Sequence, residues 1–381
     1  MPRASKRLKP AEQSESRAQP EASSSTSDNL TSQTQAVTTA SSHMVATLLF
    51  EVGPTLDRIP DDMLFEIISY FPDITQEHVL FGHYREPPAI PLATRERINV
   101  LRKLSQTNQL LRTRCFPLAW TRFEVCAADA QTATFFRILG EAMKRQTAWF
   151  ANAPHLLPLV RNVTVGLTRY QAADIIPAFA RCLSSMPNVQ TIEVVHAHSQ
   201  MTTALKNAFE GRRFPSVRTA IVPSCAHEIL RCCPLVEEVT CNEDTGSTVI
   251  GAIIKGNCTR VRSLLGTNAP LKRLVKFLPN LRAISVKEDM DVIQSLSQFP
   301  NLEVIEVNFN QSSGHRPPPS ETEPLAGQVE KTVEAARAVL KGNKSTAEKL
   351  VRLRLVKRFV ESVYTSADGV PARVTLEVIK V

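Results

Sequence analysis

The residues best able to do chemistry in this 381-residue chain are its eight cysteines, five of which fall at Cys225, Cys232, Cys233, Cys241 and Cys258, with His227 among them. Thiolates and an imidazole could ligate zinc, but structural zinc sites draw ligands in closely spaced pairs such as C-x-x-C, and no such pair occurs. Irregular spacing and the adjacent Cys232-Cys233 fit reduced, buried, small apolar residues better. His196 and His198 bracket Ala197, where a metal would need a third ligand that the sequence does not nominate; a polar strand end is the simpler reading. Glu237-Glu238 and Glu288-Asp289 could pass protons, yet acids at strand ends more often face solvent. Gly246, Gly251 and Gly256 lack the Lys-Ser/Thr ending of a phosphate loop, and neither G-x-S-x-G nor H-E-x-x-H is present. The sequence thus nominates no catalytic residue, no cofactor and no metal site, and the expectation is a non-catalytic chain.

The elements are clearer than the chemistry. A nine-residue phrase recurs: apolar or Cys first, Pro second, then apolar residues at the fourth, seventh and usually ninth positions. It reads LPLVRNVTV from Leu157, MPNVQTIEV from Met186, FPSVRTAIV from Phe214, CPLVEEVTC from Cys233, LPNLRAISV from Leu278 and FPNLEVIEV from Phe299, with a copy lacking Pro, CTRVRSLLG, from Cys258. The starts lie roughly 20 to 30 residues apart, the spacing of repeat units. The last residues alternate as in a short strand, and the Pro breaks whatever helix precedes it. Helical patterns such as Ala172 to Ser185, Thr202 to Glu210 and Met290 to Gln298 fill the intervals. Each strand-helix unit can bury its apolar side only against its neighbours, which predicts a curved stack with an open strand face; an ordinary α/β domain with parallel strands is the alternative.

Upstream, LDRIPDDMLFEIISYF places Pro at a helix start, acids in the first turn and Met63, Leu64, Ile67, Ile68 and Phe71 on one stripe. A second pattern runs RINVLRKLSQTNQLLRTRCF, with Ile98, Leu101, Leu104, Leu110 and Leu111 as its apolar members. The string Ile59-Pro60-x-x-x-Leu64-x-x-Ile67-Ile68-x-Tyr70-Phe71, followed by Leu101-x-x-Leu104 and Leu110-Leu111, resembles the F-box over residues 56 to 124. It departs from the family in the stretch Thr75 to Arg97, where a compact F-box has a brief turn, and in Gln106-Thr107-Asn108, where Cys-Lys or Cys-Arg is usual. The nine-residue phrases resemble the leucine-rich repeats that commonly follow an F-box, without most of their Asn or Cys ladder.

Together these identify an α/β chain: a short all-helical F-box-like module followed by a curved leucine-rich-repeat-like strand/helix array. The resemblance implies docking on a Skp-type adaptor, and through it a cullin, by Ile59, Pro60, Leu64, Ile67, Ile68, Phe71, Leu101 and Leu104. It also implies that an unidentified target protein is held on the repeats for ubiquitylation. A helical cap on a repeat scaffold, with no ligase connection, is the alternative.

The expected organisation is a disordered tail over 1–44, poor in large apolar side chains, then the F-box-like module with its inserted loop over 45–125 and the repeat domain over 126–310. A linker or exposed loop follows over 311–325, then a C-terminal helix and two strands over 326–381 that could cap the stack. A 43% apolar composition suits a sizeable core. No apolar run is long enough for a membrane span and the opening residues are unlike a secretory signal, so the expected location is intracellular, in cytoplasm or nucleus. Arg3, Lys6, Arg7 and Lys9 resemble an import signal. The net charge of +8 is concentrated between Lys341 and Arg358, a stripe that reads as a solvated face or a seat for an acidic partner; 6% aromatic content argues against nucleic-acid recognition.

Overall fold

A computed structural model describes residues 59–81, 90–127, 134–243, 246–267, 271–313, 323–359 and 373–381. The expected N-terminal tail, its basic cluster and most of the expected 311–325 linker lie outside the described residues. The described residues fall in one compact unit.

Every phrase ends in a strand that starts at its sixth residue: β2 (Asn162–Leu167), β3 (Thr191–Ala197), β4 (Thr219–Val222), β5 (Glu238–Cys241), β6 (Ser263–Leu265), β7 (Ala283–Lys287) and β8 (Val304–Ser313). The seventh residue of each, Val163, Ile192, Ala220, Val239, Leu264, Ile284 and Ile305, is fully buried in one continuous core, and the fourth residues line the same core. Burying a Val, Leu or Ile side chain is worth about 1.5–3 kcal/mol, so these two columns are the main glue of the stack.

The fifth residue turns the corner into the strand, and its carbonyl accepts two backbone N–H groups from the next unit. Arg161 accepts from Gln190 and Thr191, Gln190 from Arg218 and Thr219, and the staircase continues through Arg218, Glu237, Arg262 and Arg282. The side chains at these corners also pair, Arg218 with Glu237 at 3.7 Å and Arg282 with Glu303 at 3.7 Å. Such half-exposed pairs contribute about 0–1 kcal/mol, so the backbone staircase and the core columns, rather than the charges, set the register.

A second ladder was not anticipated. The third residue of several phrases is Asn, and its amide donates back to the preceding unit: Asn188 to the Pro158 carbonyl at 2.8 Å and Asn301 to that of Pro279 at 3.2 Å. It stands before the strand rather than after it, where the usual repeat ladder was sought.

The strands form one ten-stranded sheet whose order follows the chain, β1 to β10. β1 to β9 are parallel neighbour to neighbour. The order contains no reversal, which a doubly wound sheet would require. Helices α5 (Phe135–Asn152), α6 (Ala172–Ser184), α7 (Thr202–Phe209), α8 (Ser247–Lys255), α9 (Lys272–Phe277), α10 (Met290–Ser295) and α11 (Glu323–Gly342) supply side chains to the same core, so all of them lie over one face of the sheet.

Two boundaries differ from the expectation. β1 (Arg122–Val125) is a strand with no phrase; it pairs with β2 through Arg122↔Asn162, so the sheet starts inside the segment assigned to the helical module. At the other end β9 (Leu350–Phe359) pairs parallel with β8, and β10 (Arg373–Lys380) pairs antiparallel with β9. The C-terminal segment therefore belongs to the sheet and finishes it, with Val333, Ala336 and Leu340 of α11 in the common core.

One turn is sterically unforgiving. Gly266 follows β6 at φ +70°, and a Cβ there would collide with the Cys241 carbonyl. Gly266→Ala should cost roughly 2–4 kcal/mol in urea unfolding. Gly251→Ala, on α8 with open space around it, should leave stability unchanged or raise it by about 0.5–1 kcal/mol.

Candidate functional site

The F-box-like residues fold as a three-helix module. Pro60 precedes α1 (Asp61–Ser69), whose first turn carries Asp61 and Asp62 against the positive helix end. α3 (Glu96–Leu104) is followed by a short turn and α4 (Gln109–Ala119), which Asn108 caps by accepting the Leu111 N–H at 2.8 Å. Leu64, Ile68, Leu101, Leu111, Cys115 and Ala119 make a core of their own, distinct from the sheet core. Arg114 of α4 donates to the Ile59 carbonyl at 2.8 Å and pairs with Asp61, locking α4 to the start of α1.

This geometry divides the eight residues expected to meet an adaptor. Leu64 and Ile68, each 1% exposed, and Leu101 are turned into the module's own interior, so they hold the helices together and present no surface to a partner. Ile59 and Leu104 pack partly against that core, and Phe71 is half-buried. Pro60 and Ile67 are exposed. Helical periodicity identifies an apolar stripe but cannot say which part of it a neighbouring helix takes.

The exposed apolar residues of the module are Met63 (56%), Phe65, Ile67 (43%) and Tyr70 (78%) on and just after α1, with Leu110 and Leu118 on α4. Met63, Ile67 and Tyr70 are one and two turns apart on one side of α1. Leu110 and Leu118 flank Arg114 by one turn each, and Arg114 touches the start of α1.

Of the stretch from Thr75 to Arg97, where an F-box has a turn, the described residues 75–81 and Ile90 leave the module, and Arg97 is back in α3 with its N–H on the Pro72 carbonyl at 3.2 Å. Helix α2 (Gln76–Phe81) lies on the face of the sheet opposite the other helices: Ile74, Val79, Leu80 and Ile90 pack with Cys126, Val195 and Ile221. Asn242, buried after β5, bridges α2 to β3: its side-chain NH2 donates to the Val79 carbonyl at 3.1 Å and is shared between those of Val194 at 3.0 Å and Val195 at 3.3 Å. The strand face expected to stand open is therefore occupied by the chain itself over β3 and β4. The sequence held a sign of this. The eighth phrase residue faces that side and is Thr, Glu or Ser in five copies, but Ile221 in the third and Leu265 in the fifth; of these two, Ile221 packs with α2.

Other sequence candidates are absorbed by the fold. Cys232, Cys233, Cys241 and Cys258 are buried, and burial pushes the Cys232 and Cys258 thiols up to about 11, which leaves them protonated and inert. Among the described residues no three His, Cys, Asp or Glu side chains are grouped to hold a metal. His196 is half-buried with its ring 5.9 Å from that of Phe136, and burial lowers its pKa. Glu237 pairs with Arg218 and Arg262, and Asp289 caps α10 by accepting the N–H of Asp291 and Val292.

The basic stripe does not form one solvated face. Arg354 of β9 pairs at 3.3 Å with Glu306, which is 1% exposed, and Lys349 donates to the Asn343 carbonyl at 2.9 Å. No described helix is long and apolar enough to cross a membrane. No family model matches the chain, and no curated protein is detectably similar to it.

The Asn242 clamp generates a test. Asn242→Ala removes the two N–H groups shared among three buried carbonyls, which should cost about 1–3 kcal/mol. It should also speed amide hydrogen exchange at residues 76–81 more than in β7 and β8. Unchanged exchange in α2 would show that the clamp does not hold the segment.

Proposed function

We propose that this protein is a non-catalytic substrate-recognition adaptor of a Skp-cullin-F-box ubiquitin ligase, working inside the cell. The helical module docks on the Skp-type partner and the strand-helix array presents the target protein. The observation that carries this reading is the self-contained three-helix module, which displays large apolar side chains that its own core does not use. Met63, Ile67, Tyr70, Leu110 and Leu118 are the side chains a partner would bury, alongside Pro60 and the accessible parts of Ile59, Phe71 and Leu104. Exposed apolar side chains of this size are a liability on a free surface and suit the centre of an interface.

The strand-helix units with buried columns at every fourth and seventh position support a leucine-rich-repeat-like array as the target-holding part. Because α2 covers β3 and β4, the target would be met elsewhere than on that stretch of strand face.

One observation favours the second reading, a protein-interaction scaffold without a ligase. The α2 clamp ties the module to the sheet as an end cap would be tied. Deleting the module cannot separate the two, since β1 and α2 would go with it. Surface substitutions can.

Purified protein should capture a Skp-type adaptor, and Met63→Glu/Ile67→Glu should reduce that capture at least tenfold with unchanged circular dichroism and melting. Leu64→Ala should instead destabilise by about 2–5 kcal/mol through the cavity it leaves. A folded wild-type protein that captures no Skp-type adaptor would overturn the ligase reading in favour of the scaffold.

A further inference from the structure

At the junction of the helical module and the sheet lies a groove of about 410 Å³, lined by Arg95, Arg102, Trp120, Glu124 and Cys126, and by Leu139, Arg145 and Trp149 of α5. Three guanidinium groups, of Arg95, Arg102 and Arg145, line it with a single carboxylate, that of Glu124. Arg95 is committed to that carboxylate, its Nε lying 3.2 Å from Glu124 Oε1. Arg102 is not so committed: its guanidinium lies 4.4 Å from the Trp120 ring centroid, and its Nε is shielded from solvent with no acceptor. Arg145 is exposed at the rim and enters no ion pair among the described residues. The groove thus carries an uncompensated positive charge in a site partly closed to water, where an incoming anion interacts more strongly than it would on an open surface.

The carboxylate asks for something else. Glu124 is 7% exposed, and its second oxygen, Oε2, is buried without a donor. Burial pushes its carboxyl pKa up, while Arg95, Arg122 and Arg102 pull it back. Burial and the nearby Arg95 likewise disfavour the charge on Arg102. A bare oxyanion would satisfy Arg102 and Arg145 but leave Glu124 Oε2 without a partner. A peptide satisfies both, because it brings an acidic side chain together with backbone N–H donors. Trp120 and Trp149, stacked on each other at 4.7 Å between centroids with 21° between planes, line the groove and add apolar surface beside the charges. The volume lies within the range of ligand pockets and admits a few side chains, not a folded domain.

We propose that this groove binds an extended peptide segment through an oxyanion, a carboxylate or a phosphoryl group, held by Arg102 and Arg145, with a peptide N–H on Glu124. Under the adaptor reading it is where an acidic or phosphorylated stretch of the target protein is gripped. It uses none of the residues assigned to the Skp-type partner, so either assignment can fail without the other.

The test is direct, because the chain's two tryptophans are Trp120 and Trp149. Tryptophan fluorescence of the full-length protein, excited selectively over tyrosine, therefore comes from two rings that line this groove. Four ligands free of aromatic residues are titrated: a short Asp/Glu peptide, the same peptide with phosphoserine in place of its acids, its Asn/Gln counterpart, and inorganic phosphate.

A saturable change with the acidic or the phosphoserine peptide, and not with the Asn/Gln peptide, is the expected result; which of the two binds more tightly identifies the source of the oxyanion. Arg145→Gln, at the exposed rim, and Arg102→Gln should each weaken binding by about tenfold, the loss of one charge-assisted hydrogen bond. Arg282→Gln, at a distant corner of the sheet, should leave it unchanged. No saturable change with either anionic peptide, a response to inorganic phosphate alone, or binding indifferent to both groove substitutions in folded protein would each overturn the proposal.

Discussion

In a parallel sheet no strand can close its hydrogen bonds within its own unit, so each unit is completed only by the next. Here the constraint is met at one atom per unit, the carbonyl of the fifth phrase residue, which accepts two N–H groups from the following phrase. That shared acceptor fixes both the step from strand to strand and the register. Once the register is fixed, the seventh residue of every phrase must fall into a single buried column, and Val163 through Ile305 do so. The sequential strand order, the helices on one face and the common core follow from this repeated corner. Its side chains vary among Arg, Gln and Glu because the backbone, not the charge, does the joining.

Such a sheet has two faces, and only one is filled by its own helices. The other carries a polar network at the N-terminal end, where Arg122 reaches Thr164 at 2.6 Å and Glu193 at 2.8 Å. Beside that network the segment between α1 and α3 crosses over and packs on Val195 and Ile221. The crossing has consequences for function. It anchors the helical module to the sheet through Asn242, and it removes β3 and β4 from any surface offered to a partner. It also places α3 with Arg95 and Arg102 opposite α5, so the charged groove is a product of the same junction.

Buried charge is the other theme of this fold. Glu124 and Glu306 sit at matching positions, the eighth-residue row of the sheet, near opposite ends of the array. Burial raises the pKa of each, and arginines partly offset the cost. Pairs of this kind are seldom net contributors to stability, since desolvation consumes most of the attraction. Both glutamates keep a buried oxygen without a donor, Glu124 Oε2 and Glu306 Oε1; what sets the Glu124 end apart is the groove that Glu124 lines together with Arg102, Arg145 and the two tryptophans.

What the sequence alone determined is whatever depends on neighbours in the chain. The phrases could be read because Pro and three apolar residues at fixed offsets specify a corner and a strand locally. The module's helices could be read because caps, acids and periodicity act within a few turns. β1 could not, being four residues with no corner phrase, held as a strand only because β2 lies beside it. Nor could the split of the α1 stripe into core and surface, because a helix does not encode which side its neighbours will occupy. The path of the segment from Thr75 to Arg97, the partners of Asn242, and the meeting of Arg102, Glu124 and the two tryptophans were decided by tertiary structure. Each joins residues far apart in sequence, and their proximity follows only after the staircase of shared carbonyls has set where every strand lies.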